Sequence, residues 1–248
     1  MARLFDDASS EYLYDSDTAL VTAPPFSVSL WMYSDDAAKD QALFFTKANA
    51  QSRYFGLFAV GSAAGDPIYC TAREEGINEH AITTSGFSAN TWHHIMGVWA
   101  SATDRRVFID GGSKGTNTTD VVPSGVNETW IGQLGIVAVE LYFSGRLAEL
   151  GVWNAAFSDA EVALLAKGFS PLFFRPEALL CYMPMIRDED QDRFGRLVVT
   201  AFNTPSIAEH PPKIIYPAPT FISYPSAAVA ADPMPMAMHQ YRIRRVTA

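Results

Sequence analysis

The chain has 248 residues, with 18 basic against 27 acidic side chains and a net charge of −9. That length suits one large domain, or one domain with an appendage, and 48% hydrophobic content excludes a disordered acidic chain. The acidic balance argues against nucleic acid and an anionic membrane as partners, because phosphate contacts need clustered Lys and Arg.

The opening MARLFDDASS lacks an apolar stretch behind a basic start, so no secretory leader is expected. No run of apolar residues is long enough to span a bilayer. Residues 25–33, PFSVSLWMY, then alternate: Phe26, Val28, Leu30 and Met32 face one way, and Ser27 and Ser29 the other. A period of two marks a half-buried strand. Residues 53–60 and 68–73 read as further strands, parted by Gly61, Gly65 and Pro67. In residues 91–100, Trp92, His94, Met96 and Val98 share one face. Residues 105–109 run into Asp110-Gly111, a tight-turn signal. Residues 129–133 and 137–143 follow, then residues 145–153, whose Ala148, Leu150 and Val152 are expected on a common side. Many short strands at this spacing predict a sandwich or barrel.

One helix is predicted after the last of these. Ser158 with Glu161 three residues on makes a capping box, Phe157 and Val162 occupy the staple positions, and Gly168 can end the helix. Composition changes near Thr200. Eight of the fifteen prolines lie between Pro205 and Pro235, beside Ile214, Ile215, Tyr216, Phe221, Ile222 and Tyr224. Proline forbids an ordinary core element, and a free linker rarely holds so many large apolar groups. The expected organisation is therefore a β domain over residues 1–200 and an extended arm over 201–248. In the arm those apolar groups, with Arg242, Arg244 and Arg245 at the end, would bind a partner.

Four segments, in order, resemble laminin-G-like domains of the concanavalin-A-like lectin/glucanase kind. They are LFDDASSEYLYDSDT leading into PFSVSLWMY, NTWHHIMGVW, RRVFIDGG, and FSGRLAELGVWNAAFSDAEVALL, with Gly145, Glu149, Trp153, Asn154, Ser158 and Glu161 in the last. The resemblance runs from about Leu4 to Val199. It implies an all-β jelly roll of two antiparallel sheets, with Trp31, Trp92, Trp99 and Trp153 in the core.

A glucanase of this fold would carry paired carboxylates on one strand, and no E-x-D-x-E strand is present. Glu149 reads as a structural glutamate at a sheet edge, and the chain as non-enzymatic. His93 and His94 are adjacent, so a strand sends them to opposite faces, and His80, His210 and His239 are scattered. No cofactor is expected. Calcium is the metal considered, through Asp188, Asp190 and Asp192 or through Asp6 and Asp7; Arg193 and Val199 stand where an EF-hand needs glycine and glutamate. A solvated acidic turn is the plainer reading of both. The cysteines, Cys70 and Cys181, are expected as buried thiols, with one disulfide as the alternative. Asn117 and Asn127 open sequons, read as coincidental without a leader. No aromatic platform can be assigned.

These features favour a structural protein of a phage virion, made in the host cytoplasm. The expected role is capsid decoration, with the arm binding the major capsid protein or another copy in a homo-oligomer. The alternative is a carbohydrate-binding or adhesion module of a tail or fibre.

Overall fold

A computed structural model describes residues 1–48, 52–136, 139–186, 191–211 and 213–217. Alternation places the strands. They are β1 (Ala2–Phe5), β2 (Tyr12–Asp15), β3 (Phe26–Ser34), β4 (Asp40–Lys47), β5 (Tyr54–Val60), β6 (Ile68–Glu74), β7 (Ile77–Ile82), β8 (Trp92–Ser101) and β9 (Asp104–Ile109). There follow β10 (Gly112–Asn117), β11 (Glu128–Ile131), β12 (Gln133–Ile136), β13 (Val139–Tyr142) and β14 (Gly145–Trp153). Helix α1 (Asp159–Leu165) and a 3-10 turn at Pro171–Phe173 precede β15 (Leu179–Met183), β16 (Thr200–Phe202) and β17 (Ser206–Ala208).

Two antiparallel sheets form the predicted sandwich. One has the order β10-β9-β8-β3-β14-β1-β17, with β15 also beside β14. The other runs β16-β2-β11-β4-β5-β6-β7, and β12 with β13 makes a separate hairpin. The inner faces meet in a core that includes Phe26, Val28, Leu30 and Met32 from β3 and Phe44, Phe55, Leu57 and Trp99 from its neighbours. Cys70 and Cys181 are buried free thiols in that core.

The Asp110-Gly111 turn forms as expected, with φ of 53° and 74°, the left-handed pair that a two-residue hairpin needs. Beyond it β10 closes onto β7, where a Cβ on Gly115 would stand 1.8 Å from the Ile82 carbonyl oxygen. Only glycine permits that approach. The capping box also forms: Ser158 N–H donates to Glu161 Oε2 at 2.8 Å, and Glu161 N–H reaches Ser158 Oγ at 3.5 Å. Phe157, Val162 and Leu165 are buried with Trp153 in a second apolar layer outside the eight-stranded sheet.

In β14 the register differs from plain alternation. It shifts between Ala148 and Gly151, and Glu149 takes φ 56°. Leu147, Leu150 and Val152 therefore face the core, where alternation alone puts Ala148, Leu150 and Val152. The bulge lies where β14 changes partner, from β1 at residues 145–147 to β15 at residues 150–153.

The boundary expected after residue 200 cuts through paired structure. Strand β16 pairs with β2 and β17 with β1, so residues 200–208 extend both sheets. Ile215 N–H then donates to Gly168 O at 2.7 Å, and Ser170 N–H to Ile215 O at 2.9 Å. Of the expected arm residues, Ile214, Ile215 and Tyr216 thus lie along the chain's own sandwich. Phe221, Ile222, Tyr224, Arg242, Arg244 and Arg245 lie outside the described residues. A chain ending at residue 200 should unfold at lower denaturant than one ending at 217, by about 1.5–3 kcal/mol or more, the worth of a hydrogen bond to a charged acceptor. Equal midpoints in urea would place residues 201–217 outside the cooperative unit.

Candidate functional site

The outer face of the eight-stranded sheet is largely covered. Helix α1 and the 3-10 turn pack with Met96, Val98, Trp153 and Tyr182, and Ile215 and Tyr216 bond Gly168, Ser170 and Glu149 beside them. Its uncovered part carries Trp31, Tyr33 and Trp92, with the Arg146 guanidinium 4.6 Å above the Tyr33 ring. Trp99 and Trp153 are core as expected, but Trp31 and Trp92 are not. They point outward because Met32 and His93, their neighbours in sequence, point inward.

His94, on the same outer face, is 1% exposed and bonds Ser29 Oγ at 2.8 Å. Burial depresses its pKa from 6.5 to about 4. The unfolded chain therefore binds a proton below pH 6.5 that the folded chain refuses until about pH 4. Stability should fall across that window, by roughly 3 kcal/mol for a shift of this size. His94→Gln should flatten that part of a urea-midpoint titration against pH.

The outer face of the seven-stranded sheet is different. Tyr12 and Tyr14 alternate on β2, Trp130 pairs with Tyr14 and with Phe45, and Phe202 pairs with Tyr12. All five rings emerge on one face. Phe202 stacks on Tyr12 at 4.7 Å, and Tyr12 and Tyr14 each stack on Trp130 at 5.2 Å, with interplanar angles of 19° to 28°. These separations match the strand spacing. The rings therefore stand upright, and Phe202, on the edge strand, is 42% exposed. At the other end Lys47 Nζ sits 4.5 Å from the Trp130 ring. Lys47 and Glu128 form a buried ion pair at 2.8 Å, and Glu128 Oε2 accepts from Trp130 Nε1 at 2.8 Å. Glu128 thus fixes the plane of the indole.

The β12–β13 hairpin crosses this sheet, packing Leu134 and Leu141 over Phe45 and Phe58. Its Tyr142 comes to 6.3 Å from Tyr12 and forms one wall of a pocket of about 330 Å³. Asp7, Lys39, Asp40, Ser62, Glu140 and Leu141 complete the lining. Lys39 pairs with Asp7 at 2.8 Å and Asp36 at 3.5 Å. The Lys39 ammonium holds the Asp7 carboxyl below its ordinary range. Tyr142 donates to Glu140 at 3.2 Å, and Asp40 Oδ1 accepts from Ser62 N–H at 3.0 Å. Burial, then Tyr14, Tyr142 and Glu140, push the Tyr12 phenol up. The result is an open pocket of hydroxyls and carboxylates beside a rigid aromatic row.

Two other clusters resemble catalytic sites without the arrangement of one. Glu149 is 1% exposed within a sheet, not at its edge. Its carboxylate takes Tyr182 Oη at 2.8 Å, Tyr216 Oη at 2.7 Å and lies 3.2 Å from His210 Nε2. Burial and that carboxylate push both phenols up, so they remain donors. The group anchors His210 and Tyr216. Ser88, His93 and Asp110 form a second cluster, with His93 Nδ1 2.7 Å from Asp110 Oδ2 and Nε2 3.2 Å from Ser88 Oγ. The Ser88 backbone N–H also points at Nε2, at 3.1 Å. The lone pair that would activate a serine is therefore engaged, and the ring locks the loop.

The calcium candidates among the described residues, Asp6, Asp7 and Asp192, have protein partners. Asp188 and Asp190 lie outside the described residues. Asp192 is buried and accepts backbone N–H bonds from Tyr182, Phe194 and Arg196 at 2.8, 3.2 and 2.8 Å, a turn-forming role. Asp6 accepts from Ala8 N–H and Ser9 Oγ, and Asp7 faces Lys39. No group of three potential metal ligands occurs among the described residues. The aromatic row was missed by sequence reading. Its available signal was Tyr12-x-Tyr14, an alternation as regular as that of β3.

Residues 7–163 match the family model of the concanavalin A-like lectin/glucanases superfamily. The chain belongs to that superfamily. Solved relatives of this lectin/glucanase fold agree in architecture at low identity. Domain 4 of an extracellular GH43 arabinanase from Geobacillus stearothermophilus, in complex with arabinotriose, aligns at 19% identity and TM-score 0.55, over 66% of this chain and 76% of that one. The native heptameric SAP-like pentraxin of Limulus polyphemus gives 15% and 0.56, over 83% and 94%. A Bacteroides ovatus protein provisionally assigned as carbohydrate-binding gives 17% and 0.57, over 84% and 61%. No curated protein matches this sequence.

Proposed function

We propose that this lectin/glucanase-fold protein is a carbohydrate-binding module without catalysis of its own, and that the glycan lies in the pocket walled by Tyr142. The observation that carries the reading is the pairing of that hydroxyl- and carboxylate-lined pocket with a fixed aromatic row on a sheet face that, among the described residues, the β12–β13 hairpin covers only in part. Sugars are bound by such a combination: ring C–H groups pack on aromatics while hydroxyls pair with polar groups. The arabinotriose complex of the arabinanase domain supports this reading over attachment to a capsid, the role that the sequence favoured. The sequence carries no E-x-D-x-E strand, and buried Glu149 is committed to its three partners.

The test is affinity electrophoresis of the full chain through gels containing soluble polysaccharides. Tyr142→Ala removes one wall of the pocket from an exposed hairpin and should abolish retardation by a bound glycan, a loss of about tenfold or more in affinity for one lost stacking wall. Its circular dichroism and urea midpoint should match the parent. Retention of full binding by Tyr142→Ala would remove the pocket from the reading.

A further inference from the structure

The charge pattern around this pocket says which glycans it accepts, an inference that rests on the carbohydrate-binding reading. Three carboxylates line it, those of Asp7, Asp40 and Glu140, against one cation, Lys39. That cation is held by Asp7 at 2.8 Å and by Asp36 at 3.5 Å, so it brings no uncompensated positive charge. Lys47, the cation nearest the aromatic row, is buried in its ion pair with Glu128. Arg53, at the far end of β4's partner strand, is bound to Glu74 and Glu75. Among the described residues lining the pocket, then, the one cation is already neutralised by two carboxylates, and no guanidinium is present. The whole chain adds a net charge of −9.

We infer that the pocket selects neutral oligosaccharides and excludes those bearing carboxylate or sulfate. Two physical effects act in the same direction. Recognising a carboxylate needs a paired donor such as arginine, and the site has none to offer. A like charge brought among Asp7, Asp40 and Glu140 is repelled, strongly so where water is displaced. The same carboxylates suit a neutral sugar. Asp40 Oδ2 has no protein partner among the described residues, and Glu140 spends one oxygen on Tyr142. Each can accept from the vicinal hydroxyls of one sugar residue, a pairing that needs no counter-charge.

The experiment is isothermal titration of the full chain with arabinotriose and cellotriose as neutral probes, and with sialyllactose and trigalacturonate as acidic ones, at low and at moderate salt. The expected result is binding of at least one neutral probe, with the acidic probes weaker by about tenfold or more at low salt. That gap should narrow as salt screens the repulsion. Glu140→Gln, on the exposed hairpin, should narrow it as well at low salt. An acidic probe that binds as tightly as the neutral ones, or a gap insensitive to salt and to Glu140→Gln, would overturn the selectivity and leave carbohydrate binding standing. Failure of every probe and of polysaccharide gels alike would overturn the carbohydrate reading itself.

Discussion

Replacing Trp153 with alanine should destabilise the protein by about 3–5 kcal/mol, the usual cost of removing a fully buried large aromatic. Trp153 is 0% exposed at the end of β14. Its ring packs on Phe157 at 4.7 Å, and its Nε1 donates to Phe174 O at 2.8 Å. One side chain therefore ties the last long strand to the staple residue of α1 and to the turn that follows it. The cavity would open between rigid neighbours, Tyr182, Leu165 and Leu179, which have little freedom to collapse. The carbonyl of Phe174 would lose its partner as well. Equilibrium urea unfolding measures the effect. A loss below about 1 kcal/mol, the range of a surface change, would mean that the outer layer is not part of the cooperative core.

Glu149→Ala is expected to cost about 3 kcal/mol, from hydrogen bonds to a charged acceptor worth roughly 1.5–3 kcal/mol each. The alanine leaves Tyr182, itself 0% exposed, with a buried hydroxyl robbed of its acceptor. Tyr216 and His210 lose their anchor in the same step. Backbone geometry adds a second, separable effect. Glu149 holds φ 56°, a region that costs residues with a Cβ about 1–2 kcal/mol. Glu149→Gly should therefore be the milder substitution, by about 1 kcal/mol. Both variants should speed hydrogen exchange of the amides in residues 209–217, most of all Ile215, whose N–H bonds Gly168 O. Unchanged exchange there, with both variants equally stable, would contradict the anchoring role.

The parts of this fold that sequence displayed are those fixed by local rules. Alternation in β3, the Asp110-Gly111 turn and the Ser158/Glu161 box each depend on residues close in the chain, and each formed as read. The parts that stayed hidden depend on distant partners. The bulge at Glu149 exists because β14 must leave β1 and take up β15, and no feature of GRLAELGVW records where that exchange falls. Trp31 and Trp92, which the resemblance put in the core, alternate with Met32 and His93 and face outward, and periodicity assigns two faces without saying which is the core. The proline-rich stretch to residue 217 read as an extended arm for a partner, since proline excludes central strands. Short edge strands tolerate a neighbouring proline: Pro205 lies between β16 and β17 and in neither. The aromatic row needed the cross-strand register of β16, β2 and β11, which brings Phe202, Tyr12 and Trp130 together from three distant segments.

The most direct test of the proposed site follows the five tryptophan indole N–H signals in a heteronuclear NMR titration of the full chain with arabinotriose. Trp130 carries the report, because its indole stacks on Tyr12 next to the pocket and its N–H is fixed on Glu128. The account predicts that the Trp130 signal, assigned with Trp130→Phe, shifts in a saturable way. Those of Trp99 and Trp153, buried elsewhere in the core layers, should stay in place. Saturable shifts confined to Trp31 and Trp92, with Trp130 unmoved, would put the glycan on the opposite sheet and contradict the site.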